Sequence, residues 1–298
     1  MSIVDFIRKI TPKSLLNWNR KRKKNQRNNE LSNQAVSGKS ISQVDLENDL
    51  KKIGITKGDV VLVHSSLSRI GYLKDGPKTF VDALISVVGS EGTILMPTSP
   101  NAVFQADHIR ENKVFDVLNT PSKTGKITEY FRTLPGVKRS LHPTEPVSAI
   151  GANADYFLNE HFGELTPYTS KSPFNKVSEK GGKILYIGVT LSMAGTNLHT
   201  LEDAVDFKFP VYLDEIFEVE IIDEKRKSHL VKTKVHNPIY SKKRKCDDLI
   251  AMFVQDGAMQ KVKIGEAETL LVDAKKFLES MIKNYKGKGV TMYTPNGS

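Results

Sequence analysis

Three short apolar runs constrain this chain most: "DVVLVHSS" at 59–66, "TILMPT" at 93–98 and "KILYIGV" at 183–189. Each is rich in β-branched residues and bounded by turn formers, so each reads as a buried strand. Helical patterns alternate with them. "SQVDLENDLKKIG" closes on Gly54, "GPKTFVDALISVVG" carries Pro77 in its first turn and closes on Gly89, and "KITEYFRTL" follows at 126–134. The alternation predicts an α/β fold with a mixed, largely parallel central sheet flanked by helices. Further on, "EIFEVEIIDEKRKSHLVKTKVH" reads as an added antiparallel hairpin turning at its charged centre, and "AETLLVDAKKFLESMIKNY" as a strand followed by a helix.

The net charge of +10 is concentrated at one end. Residues 1–30 hold nine Lys or Arg against Asp5 and Glu30, a surplus of +7, which leaves only +3 for the rest of the chain. In this segment apolar residues (Ile3, Val4, Phe6, Ile7, Ile10, Leu15, Leu16, Trp18) come first and the basic run second. A secretory signal has the opposite order, and no stretch approaches a membrane span, so a cytoplasmic protein is expected. Two readings of residues 1–28 stay open: an amphipathic arm on an anionic leaflet, peripheral at the inner face of the membrane, or a solvated arm. Nucleic acid is not expected as a partner, because the basic run lacks interleaved aromatics and the remainder is nearly neutral. Residues 1–40 are expected to form a basic tail and linker, the linker being "NELSNQAVSGKSIS", with the folded domain over 41–298. The single cysteine, Cys246, excludes an intrachain disulfide and a cysteine metal cluster.

In open α/β sheets ligands bind beyond the carboxyl ends of the strands, and there this sequence is rich in hydroxyls and imidazoles. Ser65, Ser66, Leu67, Ser68 and Arg69 follow the first run and Thr98 the second; "TPSKTG" supplies Ser122, Lys123 and Thr124, and "SLHPTEP" supplies His142, Thr144 and Glu145. Taken singly, such residues are ordinary turn formers and caps.

After the third run, "GTNLHTLEDA" places His199 and Glu202 three positions apart. With Thr196 or Asn197 as a helix cap, both fall on one face of a first turn, where the carboxylate can fix the imidazole's tautomer and stabilise its charged form. That is what a general base needs. A capping box between Thr200 and Asp203 competes with this reading. A metal site is the weaker alternative, since zinc needs a further ligand and the chain has no His-Glu-x-x-His.

Five ordered blocks, "VLVHSSLSRIG", "GTILMPT", "TPSKTGKITEYFRTLPGVKRSLHPTEPVSAIG", "SPFNKVSEKGGKILYIGV" and "NLHTLEDA", resemble the aminoglycoside 3-N-acetyltransferase (antibiotic N-acetyltransferase) family from about Ser42 to about Lys286. The resemblance implies an α/β enzyme, distinct from the common N-acetyltransferase fold, that moves an acetyl group from acetyl-coenzyme A directly to an amine of an amino sugar. It implies His199 as base and Glu202 as its partner, with no metal. It places Ser65, Ser66, Leu67, Ser68, Arg69, Ser122, Lys123, Thr124, His142 and Thr144 at the coenzyme cleft, and Thr98, Glu145 and Asp203 on the acceptor side.

Two departures stand out. "HPT" continues with Glu145-Pro146 where family members often have His-Ser, and "SPNAVFQAD" follows "MPT". The basic tail would also suit cell-envelope polysaccharide synthesis, with a nucleotide- or lipid-linked amino sugar as acceptor. A non-catalytic membrane-associated binding protein is a further alternative, disfavoured by the intact His199 and Glu202.

Overall fold

The structure, a computed structural model, describes residues 13–101 and 104–297. Strands β1 (Val60–Ser65), β2 (Thr93–Pro97), β3 (Val114–Asp116), β4 (Lys138–Arg139), β5 (Val147–Gly151), β6 (Lys183–Ile187), β7 (Phe217–Ile222), β8 (Ser228–Thr233), β9 (Met259–Ile264) and β10 (Ala267–Asp273) build two sheets. The larger has the order β4-β5-β2-β1-β6-β10-β9 and the smaller β3-β7-β8. Parallel pairing joins β2, β1 and β6 at the centre, while β5 and β10 run antiparallel beside them and β4 and β9 turn back again. The sheet is thus mixed with most strands pointing one way, as the sequence predicts.

Both faces of this sheet are covered, which explains why the central strands are continuously apolar. Along β1, Leu62 enters one core with Leu95, Ile184 and Tyr186, while Val61 and Val63 enter the other with Ile94, Met96, Leu185 and Ile187. The helices Pro77–Val88 and Gln43–Lys52 close the second core through Phe80, Leu84, Val88, Leu46 and Leu50. Helix Ala274–Lys288 closes the first through Phe277 and Met281.

The expected hairpin is β7-β8. Its turn is held by Asp223, whose Oδ1 accepts from the backbone N–H of Lys225 (2.9 Å) and Lys227 (2.8 Å), with Arg226 in the left-handed region (φ 64). Two strand pairings were not expected. The three-residue β3 is too short to register as a pattern and joins β7 in parallel, and β9 pairs with β10 across the Gly265-Glu266 turn.

The N-terminal segment departs from the linker expectation. Residues Lys13–Val36 form one continuous helix, which breaks only at Gly38 (φ +70). The Asn- and Ser-containing stretch at 28–33 has low intrinsic helix preference, but tertiary contacts override it. Arg27 donates from Nε to the Ser68 carbonyl (2.6 Å) and from Nη2 to Glu266 (2.8 Å); Gln34 donates to Glu266 (2.6 Å) and accepts from the Tyr72 N–H (3.1 Å). Leu15 and Trp18 are exposed, whereas Ile3, Val4, Phe6, Ile7 and Ile10 of the membrane-facing reading lie outside the described residues. Among the described residues no helix is long and apolar enough to cross a membrane.

Buried imidazoles make stability pH-dependent. Burial pushes His64 down to about 4 and His161 to about 3, from an ordinary 6.5. Below pH 6.5 the unfolded chain therefore binds protons that the folded chain does not, so stability present above that pH is lost progressively as pH falls toward about 4. The expected result is a melting temperature that declines steadily between about pH 6.5 and pH 4, measured by calorimetry. A flat profile there would show that burial does not hold these rings neutral.

Candidate active site

The site lies beyond the carboxyl ends of β1 and β6, and it is organised by one carboxylate. Glu202 is buried, with its side chain 1% exposed, and three donors meet it. Oε1 accepts from His199 Nδ1 (2.8 Å) and from the Tyr293 hydroxyl (2.7 Å), and Oε2 accepts from His236 Nε2 (2.8 Å). An ionised carboxylate only accepts, so the geometry places protons on His199 Nδ1 and His236 Nε2. His199 Nε2 is left with a lone pair and has no partner among the described residues. Burial tends to raise the Glu202 carboxyl, but the two imidazoles, by charge and by hydrogen bond, hold it well below the usual range. Burial pushes His199 well below 6.5, partly offset by the charge of Glu202. At neutral pH the pair is therefore a carboxylate and a neutral imidazole.

Local structure differs from either capping expectation. Thr196–His199 is a 3-10 turn running into helix Thr200–Ala204, with no side-chain cap on either. The Thr200 hydroxyl bonds back to the Asn197 carbonyl (2.8 Å), and Asp203 accepts from Thr166 (2.8 Å) and Tyr212 (3.3 Å). His64 braces the turn from β1: its ring stacks on Tyr186 (4.7 Å, 1°) and its Nε2 lies 3.2 Å from Asn197 Oδ1. The His199 ring packs against Tyr168 (4.8 Å) and His236 (4.1 Å), which also touch each other (5.6 Å), so the three rings form one cluster.

His199, Glu202 and His236 also offer three ligand atoms within 4.8 Å of one another. Their facing atoms are donor–acceptor pairs, and Tyr293 takes a further lone pair, so the cluster is satisfied as a proton network.

Two cavities meet here. A cleft of about 1210 Å³ is lined by Ser65, Ser66, Leu67, Ser68, Arg69, Lys123 and Thr124 among others. A smaller cavity of about 280 Å³ is lined by His199, His236, Tyr168, Ser241 and Arg244. Glu145, Met193, Ala194 and Thr196 line both. Gly188 lets the loop after β6 approach this wall, since a Cβ there (φ +65) would lie 2.3 Å from Arg69 Cβ.

Of the sequence-predicted residues, Ser65 to Arg69, Lys123, Thr124 and Glu145 line the cleft. Ser122, Thr98, His142, Thr144 and Asp203 line neither cavity. Ser122 bonds to Thr124 (2.7 Å) and Thr128 (3.2 Å); Thr98 bonds to Ser148 (3.1 Å) and Arg139 (3.1 Å). His142 stacks on His161 (4.6 Å) and its Nδ1 meets the Thr144 hydroxyl (3.3 Å). Glu145 accepts from Ser99, Gln105 Nε2 (2.7 Å) and Asn101 Nδ2 (3.4 Å). Sequence reasoning missed His236, Tyr293, Tyr168 and Arg244. Only His236 carried a signal, as an imidazole closing the hairpin run before Asn237-Pro238.

The sequence model described as aminoglycoside 3-N-acetyltransferase matches residues 62–286. The chain belongs to this family. Aminoglycoside N(3)-acetyltransferase VII of Streptomyces paromomycinus is 30% identical over 195 residues, 58% of this chain and 67% of that protein. The SPbeta prophage-derived aminoglycoside N(3')-acetyltransferase-like protein YokD of Bacillus subtilis is 34% identical over 176 residues, 54% of this chain and 64% of its own length. The chain thus spans about two thirds of these curated relatives. Among solved structures, AAC-IIIb in binary complex with CoASH superposes with a TM-score of 0.68 at 28% identity, covering 82% of this chain and 95% of that one.

Replacing Glu202 by Ala would strand two imidazole N–H groups and a phenol in a buried site. Unpartnered buried donors and broken buried pairs cost several kcal/mol, so Glu202→Ala is expected to lower unfolding free energy by about 3 kcal/mol or more in denaturant titration. A loss under about 0.5 kcal/mol would mean the carboxylate does not organise the site.

Proposed function

We propose that this chain transfers the acetyl group of acetyl-coenzyme A to an amine of an amino sugar, with His199 as general base and Glu202 as its orienting partner. The observation that carries the reading is the free Nε2 of His199 in a cavity that shares its wall with a much larger cleft, while Nδ1 is fixed on Glu202. The cleft has the size and the cationic lining (Arg69, Lys123, Lys126) that a thioester on a phosphorylated nucleotide requires, and a relative of the same fold was solved with CoASH.

In this mechanism His199 Nε2 takes a proton from the sugar ammonium, directly or through water, and the freed nitrogen attacks the thioester carbonyl carbon. Glu202 stabilises the imidazolium so formed. The Ser65 hydroxyl, buried at the cleft with no partner among the described residues, is placed as a donor to the oxyanion. The adduct's nitrogen releases its surplus proton to water as collapse breaks the carbon–sulfur bond, the departing thiolate takes the proton held by His199, and amide and thiol leave. The buried thiol of Cys246, pushed up to about 11 by desolvation, is a poor nucleophile, which fits direct transfer.

Two acceptor classes fit differently. The family points to aminoglycosides, which are polycations and need carboxylates around them. Glu145 is the one carboxylate that borders the small cavity among the described residues, and its oxygens already accept from three side chains. Arg244 borders the same cavity, with Nε and Nη2 buried and unpartnered among the described residues. That favours, as a second reading, an amino sugar bearing an anionic group such as a nucleotide or lipid-linked phosphate.

The test is thiol release from acetyl-coenzyme A with aminoglycosides, free amino sugars and nucleotide amino sugars. Release with one class, reduced about a hundredfold or more in His199→Ala, is expected. Activity of His199→Ala within a few-fold of the parent would remove it as base. Failure of the parent protein both to bind coenzyme A and to release thiol would end the acetyl-transfer reading.

A further inference from the structure

The N-terminal helix forms one wall of the large cleft. Lys23, Lys24, Arg27, Asn28 and Leu31 all line it, and their spacing places them on a single helical face. The family match begins at residue 62, so this wall lies outside the matched residues. Arg27 is committed to holding the helix down, through the Ser68 carbonyl and Glu266. Lys23 and Lys24, one turn earlier, are exposed and make no ion pair among the described residues. Arg69, Lys123 and Lys126 line the same cleft, likewise exposed and unpaired among the described residues. Against these cations the lining holds one carboxylate, Glu145, at the junction with the small cavity, where none of the six cations reaches. A cleft lined by cations from the helix, from the loop after β1 and from residues 123–126, with its one carboxylate where it meets the small cavity, matches a ligand with phosphates at one end and its reacting group at the other.

We propose that Lys23 and Lys24 close a phosphate clamp with Arg69, Lys123 and Lys126, and that its ligand is the phosphorylated nucleotide end of coenzyme A. The inference rests on the acetyl-transfer reading above. Arg27 is the positioning residue of the clamp: its contact with Ser68 ties the helix to the loop after β1 that also lines the cleft. The basic run thus has its partner inside the molecule.

Titration calorimetry on the full chain tests this, using coenzyme A and, as a ligand without phosphates, pantetheine. The double variant Lys23→Ala, Lys24→Ala is expected to bind coenzyme A about tenfold more weakly and to bind pantetheine as the parent does. Arg22→Ala, which removes one positive charge from the opposite face of the helix, is expected to leave both affinities within about twofold. The parent's affinity for coenzyme A should also fall more steeply with salt than that of the double variant. Unchanged coenzyme A binding by the double variant, an equal loss in Arg22→Ala, or a parallel loss for pantetheine would each overturn the clamp. A parent chain that binds no coenzyme A would instead overturn the acetyl-transfer reading on which the clamp stands.

Discussion

The buried carboxylate of Glu202 is the contact on which the site depends. Among the described residues no lysine or arginine ion-pairs with it; its charge is met by hydrogen-bond donors from three separate parts of the chain. His199 comes from the turn after β6, His236 from the end of the β7-β8 hairpin, and Tyr293 from the segment beyond the C-terminal helix. A charge so deeply buried is tolerated only when every acceptor direction is used. The small second sheet and the chain's last residues are therefore parts of the site, because removing either would leave the carboxylate short of a donor.

This dependence explains how a fold built for rigidity sets a proton acceptor. The His199 ring is held through Nδ1 by Glu202 and packed against the rings of Tyr168 and His236, so its tautomer and its orientation are both set before any ligand arrives. His64 on β1 locks the turn that carries it through Asn197. Preorganisation of this kind lowers the reorganisation needed when charge develops on the ring. The same burial that orders the ring also keeps it uncharged at neutral pH, the state in which it can accept a proton.

The sequence carried the central strands, the hairpin and the His199–Glu202 pair, because each is written in a local pattern: β-branched runs, alternation, and spacing along one turn. What it did not carry is non-local. His236 is 34 residues from Glu202 and Tyr293 is 91, and neither distance leaves a periodic trace. The family resemblance places Ser122, Thr98, His142 and Thr144 at the cleft or acceptor side, yet they hydrogen-bond one another and their neighbours, the ordinary role that their position after strands suggests. The linker expectation failed for a related reason. The helix through Val36 is sustained by Arg27 and Gln34 on Glu266, a residue some 230 positions away, and composition alone cannot show such a partner.

Charge placement links these observations. The sequence concentrates its positive surplus in the first thirty residues, which suggests an external anionic partner when the segment is imagined as a free arm. Docked as a helix, the same segment turns Lys23, Lys24 and Arg27 toward the cleft and leaves Leu15 and Trp18 in solvent. Cations at an exposed rim act on an approaching anion over about a Debye length, roughly 8 to 10 Å at ordinary salt, and so contribute mostly to capture. The buried Glu202 network, by contrast, is shielded from salt and acts only on what has already entered. In the proposed mechanism, binding and proton transfer thus fall to charges at two depths of the same cavity system, and a change at the cationic rim would leave the buried network of Glu202 intact.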